Sequence, residues 1–407
     1  MPPYTLLSWK RDGGLILLLL YPILDYLFRR LIHIPVLSSL WDEALLFGLF
    51  FWTALLAAGD GRSLPPGSKR PLYAFLALGV ALIGADLANL APALEGFRVI
   101  FQYMLALYIG LHYFRDQGQM EAALAIWITV AALVGAYGIL QFLLGVQTPQ
   151  RWVDASEGIQ TRIFSIVTSP NVLGSYMVLA FPLAAFQALR QTGWKGRLFY
   201  GACALILLLT LLLTFSRGAW LALFAACLIV GVLLDKRLLF VGAGIAVLAF
   251  FLLPGVAERI LYLFSADYLE KSAANGRIAR WWSAFDMMRR EPLTGLGLGH
   301  YGGAVGSRYF GTTYVDSYYF KTLAEMGLLG LSLWLWLMIS LLRNMLRTWS
   351  GLLQQRQRWL AVGLFTGLLG VLLHNGVENI FEVPFMTIYF WFFAGLALSL
   401  PMLKEVE

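Results

Sequence analysis

The sequence is poor in the residues that build disulfide, metal and nucleotide sites. It has two cysteines, Cys203 and Cys227, both inside apolar segments. They offer neither a disulfide framework nor a zinc spacing, and they say nothing of redox compartment. The four histidines, at positions 33, 112, 300 and 374, form no ligand cluster. No Walker loop, dinucleotide fingerprint or zinc motif is present, and Gly295-x-Gly297-x-Gly299 does not follow a strand, so it is no nucleotide signature. No cofactor and no metal are therefore expected. Charge is scarce too: Asp, Glu, Lys and Arg make up 13% of the 407 residues, against about 25% in soluble domains, which excludes an ordinary soluble fold. There is no internal repeat and no low-complexity tract. The first apolar segment lacks a small-residue cleavage pattern and reads as a retained span, not a signal peptide.

What the chain has is apolar length: 59% of its residues are hydrophobic. A hydrocarbon core about 30 Å thick takes about 20 helical residues. On that ruler twelve spans are predicted, at 14–34, 39–58, 71–91, 96–114, 121–145, 168–190, 197–215, 218–235, 238–256, 314–342, 359–380 and 384–403. The expected fold is an all-α polytopic membrane protein, one membrane domain over 1–407. The net charge of +7 would suggest nucleic acid in a soluble protein. Here the excess of Lys and Arg that fixes cytoplasmic loops accounts for it, so the expected partner is the lipid bilayer and no nucleic acid. With the amino terminus inside, sixteen of the 30 basic residues fall on the cytoplasmic side. Six fall on the other side once the eight between 257 and 321 are set aside, as long loops translocate largely regardless of charge. Both termini are thus expected inside, and the 257–313 loop, between spans nine and ten, outside.

That loop is the most polar part of the chain. Asn275 reads as a helix cap, and 277–290 as an amphipathic helix with Ile278, Trp281, Trp282, Phe285 and Met288 on one face. Such a helix suits the membrane interface, where Trp favours the headgroup level. Pro292 ends it. The glycines at 295, 297, 299, 302 and 303 then read as a flexible, closely packed connection.

Several polar residues have two readings each. Arg217, in Thr214-Phe215-Ser216-Arg217-Gly218, is a snorkelling turn arginine or an anion ligand, because a guanidinium offers a planar fork to phosphate oxygens. An outward turn has no positive-inside reason to hold an arginine. Arg277 stands at the start of the loop helix, where backbone N–H groups and the dipole also favour anions. Arg280 lies one turn on; with Arg289 and Arg290 it reads first as a solvated helix face. Arg162 is a third outer-face candidate. Asp316 heads the tenth span as a general base or as an N-cap, worth about 1 kcal/mol. Lys321 and Glu325, four residues apart, would neutralise each other within the span. His374-Asn375 and Glu378-Asn379 are cavity wall or interhelical hydrogen-bond pairs. Asn171, after Pro170, is a cap or a polar wall.

Several motifs, in order, resemble the O-antigen ligase and O-antigen polymerase superfamily. They are Ser169-Pro170-Asn171-Val172-Leu173-Gly174, Thr214-Phe215-Ser216-Arg217-Gly218, Asn275-Gly276-Arg277 with Trp281, and Pro292-Leu293-Thr294-Gly295-Leu296-Gly297-Leu298-Gly299. Asp316-Ser317-Tyr318-Tyr319-Phe320 and Leu323-Ala324-Glu325-Met326-Gly327 complete the series. The resemblance covers about 160–335 by motif. It implies about twelve helices with an outer loop over a cavity, and a metal-independent glycosyltransferase of the bacterial cytoplasmic membrane. The donor it implies is a glycan on undecaprenyl diphosphate, and the acceptor a glycan or a lipid. Arginines matching Arg217 and Arg277 would hold the diphosphate, and Asp316 would be the base. Arg162, Asn171, Arg280, Tyr319 and His374 are the accompanying substrate-binding candidates. Ligases acting on lipid A core carry His-Asn where this chain has Asp316-Ser317. Polymerase-like members often carry Asp there, so the departure points to a polymerase of lipid-linked repeat units ahead of a ligase. A transporter of lipid-linked glycan is the rival from another class; its marks, inverted repeats and broken helices at mid-membrane, are not visible in the sequence.

Overall fold

The computed structural model describes residues 7–32, 35–152, 161–167, 169–233, 254–350, 352 and 354–404, with the single positions 239, 242, 244 and 251. No strand occurs among the described residues. The first half holds α1 (Trp9–Leu19), α2 (Tyr21–Tyr26), α3 (Pro35–Leu56), α4 (Pro66–Ala85), α5 (Leu90–Phe101) and α6 (Leu105–His112). It continues with α7 (Gln117–Leu143), α8 (Pro170–Arg190), α9 (Trp194–Leu213) and α10 (Arg217–Leu233). Four short helices follow: α11 (Pro254–Tyr262), α12 (Ala266–Ala274), α13 (Arg277–Met288) and α14 (Ala304–Phe310). The chain closes with α15 (Tyr318–Ser350), α16 (Gln355–His374) and α17 (Pro384–Ser399).

Among the described residues, 8 helices are long and apolar enough to cross a membrane, so this is a polytopic helical membrane protein. They correspond to the expected spans two, four to seven and ten to twelve. Span one is interrupted: α1 stops at Leu19 and the helix restarts at Tyr21, because Pro22 has no N–H to give and fits only a first turn. Span three is the 20-residue α4, with Lys69 and Arg70 in its first turns, and span eight is the shorter α10. Span nine, 238–256, lies mostly outside the described residues.

The bundle is built around its last two helices. The most apolar windows of α16 and α17 are 83% and 89% buried, against 28% for Ser38–Leu56. Trp127 of α7 interlocks there with Phe393, and Tyr176 of α8 with Phe385 and Tyr389. The turn joining α16 to α17 is therefore gripped from all sides. Asn375 Oδ1 accepts from the Ile380 and Phe381 amides at 3.1 and 3.3 Å. The Tyr318 amide donates to the carbonyls of Asn375 (3.0 Å) and Glu378 (3.3 Å).

The tenth span, expected to be continuous from its apolar length, is a broken helix. Gly327 sits at φ 64°, ψ −165°. Such a break strands backbone groups that have no water to turn to in a membrane. The loop segment after Pro292 supplies the partners. Leu296 and Gly297 amides donate to Ala324 and Glu325 carbonyls at 2.9 and 3.0 Å, and Leu328 and Leu329 amides to Pro292 and Leu293 carbonyls at 2.9 and 3.1 Å. A Cβ on Gly295 would stand 2.5 Å from the Glu325 carbonyl carbon. The expected flexible connection is thus corrected: this part of the glycine run is docked, and its glycine serves close approach.

Candidate active site

One end of the bundle opens into a cavity of about 1210 Å³. Its wall comes from the amino-terminal ends of α8 and α10, the α16–α17 turn, α11 to α13, and the residues just before α15. Six cationic side chains line it: Arg162, Arg217, Arg259, Lys271, Arg277 and Arg280. Two carboxylates do, Asp316 and Glu378.

A line of polar contacts crosses the cavity. Arg162 Nη2 donates to Asn171 Oδ1 at 3.0 Å, and Asn171 Nδ2 donates to Glu378 Oε2 at 2.5 Å. Arg277 Nη2 reaches the same Glu378 oxygen at 3.4 Å, and its Nε stands 4.0 Å from Asp316 Oδ2. Arg280 Nη1 closes the line on Asp316 Oδ2 at 2.6 Å. Five separate chain segments meet in these contacts. Burial raises the proton affinity of the Glu378 carboxyl, against the opposing pull of Arg277. Burial works against the Arg277 charge, but Glu378 and Asp316 outweigh it, and its pKa is raised.

Neighbouring hydroxyls, and not Asp316 or Asn171, do the capping. Ser169 Oγ accepts from the Val172 amide at 3.2 Å and caps α8, so Asn171 is free to form wall. Ser317 Oγ accepts from the Phe320 amide at 3.4 Å at the head of α15. Asp316 spends its carboxylate on arginines and caps nothing. Asn275 is corrected as a cap: Gly276 precedes α13, and Asn275 closes α12 instead. Arg277 does stand at the first position of α13. The expected tryptophan face is split. Trp281 stacks on Phe320 at 5.4 Å and donates to the Asp316 carbonyl at 3.2 Å, which seats α13 on α15. Trp282 points away and is 62% exposed.

Arg217 is held by ring faces. Its guanidinium lies 4.9 Å from the Tyr268 ring centre and 5.5 Å from that of Tyr262. Arg259 lies over Phe215 at 6.0 Å. No periodicity or motif points to this wall from 259 to 274. Tyr262 and Tyr268 sit on two different short helices, so no helical spacing links them.

Two expected site residues lie outside the lining. His374 is buried at the end of α16, where Gly218 packs on its ring, and Tyr319 donates its hydroxyl to the Leu372 carbonyl at 2.7 Å. The buried Lys321–Glu325 pair is present at 2.7 Å, and Glu382 joins it at 3.1 Å. These acids also anchor the loop: Glu325 accepts from the Tyr301 amide (3.3 Å) and Glu382 from the Ala304 amide (3.1 Å).

No curated protein matches the chain. Residues 202–335 match the family described as O-antigen ligase. The matched stretch contains Arg217, Arg259, Lys271, Arg277, Arg280 and Asp316, while Arg162, Asn171 and Glu378 reach the same cavity from outside it. The chain thus holds a segment similar to the O-antigen ligase family within a helical membrane bundle, and that match supports its place in the O-antigen ligase and O-antigen polymerase superfamily.

Proposed function

We propose that this cavity binds the diphosphate of an undecaprenyl-diphosphate-linked oligosaccharide and passes the glycan, with inversion, to an acceptor hydroxyl. The observation that carries the reading is the convergence of six cations on one cavity with only two carboxylates. That surplus suits a diphosphate, and fixed guanidiniums stabilise charge developing on a leaving group without reorganising. No step calls on a metal or cofactor. Arg217 and Arg277 hold the phosphates, with Arg280 and Arg162 beside them. The acceptor's proton goes to a carboxylate of the wall, and the sequence pattern points to Asp316.

In this reading the chain has twelve spans with both termini in the cytoplasm, and the cavity faces outward from the bacterial cytoplasmic membrane. The 257–313 loop then covers the site from outside, with α13 docked across it. Asp at 316 favours polymerisation of lipid-linked repeat units over ligation to a lipid A core or another anchor.

The test is transfer by the purified protein in lipid, with a lipid-linked oligosaccharide as donor. Expected products are free undecaprenyl diphosphate and a lengthened lipid-linked glycan. Arg217→Ala and Arg277→Ala should each lower transfer by about 100-fold, the scale of removing one oxyanion donor. Full activity in both variants would sink the diphosphate assignment. Lipid translocation without any free diphosphate would replace the reading with transport.

A further inference from the structure

The cavity holds a second carboxylate as well placed for proton transfer as the one the sequence singles out, and the two are differently poised. Asp316 is clamped: Arg280 approaches Oδ2 to 2.6 Å, and Arg277 stands 4.0 Å from the same atom. Both contacts fall on Oδ2, and through them the carboxylate fastens the two guanidiniums of α13 in place. Glu378 meets a looser set. Its contacts are the neutral amide of Asn171 at 2.5 Å and Arg277 at 3.4 Å, both on Oε2. Among the described residues Oε1 has no hydrogen-bond partner, and Glu378 lines the cavity. Its mounting is rigid as well. It stands in the turn between the two most buried helices, pinned by the Tyr318 amide, whereas Asp316 lies at the end of the loop.

Resting on the transfer reading above, we propose that Glu378 is the group that takes the acceptor's proton, and that Asp316 is a positioning residue that sets Arg277 and Arg280. Arg277 links the two states. In the empty site it is the counter-ion of Glu378; when the donor diphosphate arrives, the phosphate oxygens take it over. Glu378 is then a half-buried carboxylate without its guanidinium, the condition in which it is most basic. Asp316 keeps Arg280. The base is armed by the donor, and an acceptor arriving at an empty cavity meets a neutralised carboxylate.

The step balances. The acceptor O–H gives its proton to Glu378 Oε1, and its electron pair forms the new bond to the anomeric carbon. The bond from that carbon to the phosphate oxygen breaks, and its pair leaves on the diphosphate, held by Arg217 and Arg277. Glu378 afterwards returns the proton to water or to the departing phosphate. The groups facing Glu378 are Arg162, Asn171, Arg277, Asp316 and Tyr314, with His374 four residues earlier at the end of α16. Burial raises the Glu378 pKa. A base must be deprotonated to act, so transfer should fall as pH drops through a value above the usual carboxylate range.

The experiment measures undecaprenyl diphosphate release by the full-length protein in lipid, across pH and with donor and acceptor varied separately. Glu378→Gln keeps an oxygen for Asn171 to donate to. It should cut kcat at least about 100-fold, the lower range for general-base loss. Donor KM should change less than threefold and the acid limb should vanish. Glu378→Asp should recover a few per cent of activity with a displaced limb. Asp316→Asn should keep the acid limb and raise donor KM. The proposal falls if Glu378→Gln leaves kcat and the limb intact while Asp316→Asn removes both. A wild-type protein that releases no diphosphate lipid overturns the transfer reading itself, and this inference with it. Thermal unfolding of each variant identifies any that is merely misfolded, and for such a variant the Glu378→Asp limb decides: an undisplaced limb overturns the proposal.

Discussion

Arg280 Nη1 lies 2.6 Å from Asp316 Oδ2, a bond that fastens the loop helix α13 to the head of α15 across the mouth of the cavity. Arg280 is 37% and Asp316 18% exposed, so the pair is partly wet. Exposed pairs contribute about 0–1 kcal/mol. Arg280→Ala should therefore leave the melting temperature within a few degrees while reducing transfer by about tenfold. A loss of folded protein equal to the loss of activity would show that the pair is only structural.

Asn171 bridges Arg162 and Glu378, at 3.0 and 2.5 Å. Asn171→Ala leaves Glu378 without its amide donor but keeps Arg277 on the same oxygen, so the cost should stay near that of one hydrogen bond, about 0.5–1.5 kcal/mol. Asn171→Asp should be worse in activity, since it sets a second carboxylate against Glu378. Unfolding and transfer measured on both variants check the order; equal effects would mean that the bridge is not electrostatic.

The apolar segments that form most of the spans were legible from hydrophobic length alone, and the arginines from their odd places: an arginine in a short turn between two apolar helices, another at a helix start. What stayed hidden had specific causes. Ser317 and Asp316 are adjacent cap formers, as are Gly276 and Asn275, and sequence does not choose between neighbours one residue apart. The break at Gly327 lies in a run where glycine is ordinary for a membrane helix, and only the docked 292–297 segment reveals it. Tyr262 and Tyr268 meet over Arg217 because two short helices turn between them, and no periodicity reports that.

Lys321 is the sole cation of a buried triad with Glu325 and Glu382, at 2.7 and 3.1 Å. Lys321→Met leaves two buried carboxylates without a counter-ion, and breaking a buried pair costs about 3–5 kcal/mol. Little folded protein should be recovered. Adding Glu325→Gln and Glu382→Gln should restore much of it, as neutral amides still accept from the Tyr301 and Ala304 amides. Recovery of the single variant at wild-type yield would remove the triad as the loop's anchor.

Gly327 tests the broken helix. Its φ of 64° disfavours any side chain, and a Cβ would stand 2.4 Å from the Leu293 carbonyl carbon. Gly327→Ala must either straighten α15 or push the 292–297 segment off it, and both strand backbone groups at membrane depth. The yield of folded protein should fall severalfold, with faster proteolysis near Pro292. An unaffected variant would mean that the helix can close without its loop.

Arg217 is gripped by the faces of Tyr268 and Tyr262 at 4.9 and 5.5 Å, contacts that fix the plane of its guanidinium. A lysine ammonium is a compact point charge that neither stacks in a plane nor presents a two-pronged fork. Arg217→Lys preserves the charge and loses both, so it should behave nearly as Arg217→Ala in donor KM. Tyr268→Phe keeps the ring face and should be close to wild type. Tyr268→Leu removes it, and at about 0.5–2 kcal/mol for a cation over a ring should raise donor KM by about 2-fold to 30-fold. If Arg217→Lys is fully active, charge alone suffices there and the tyrosine grip has no part in holding the donor.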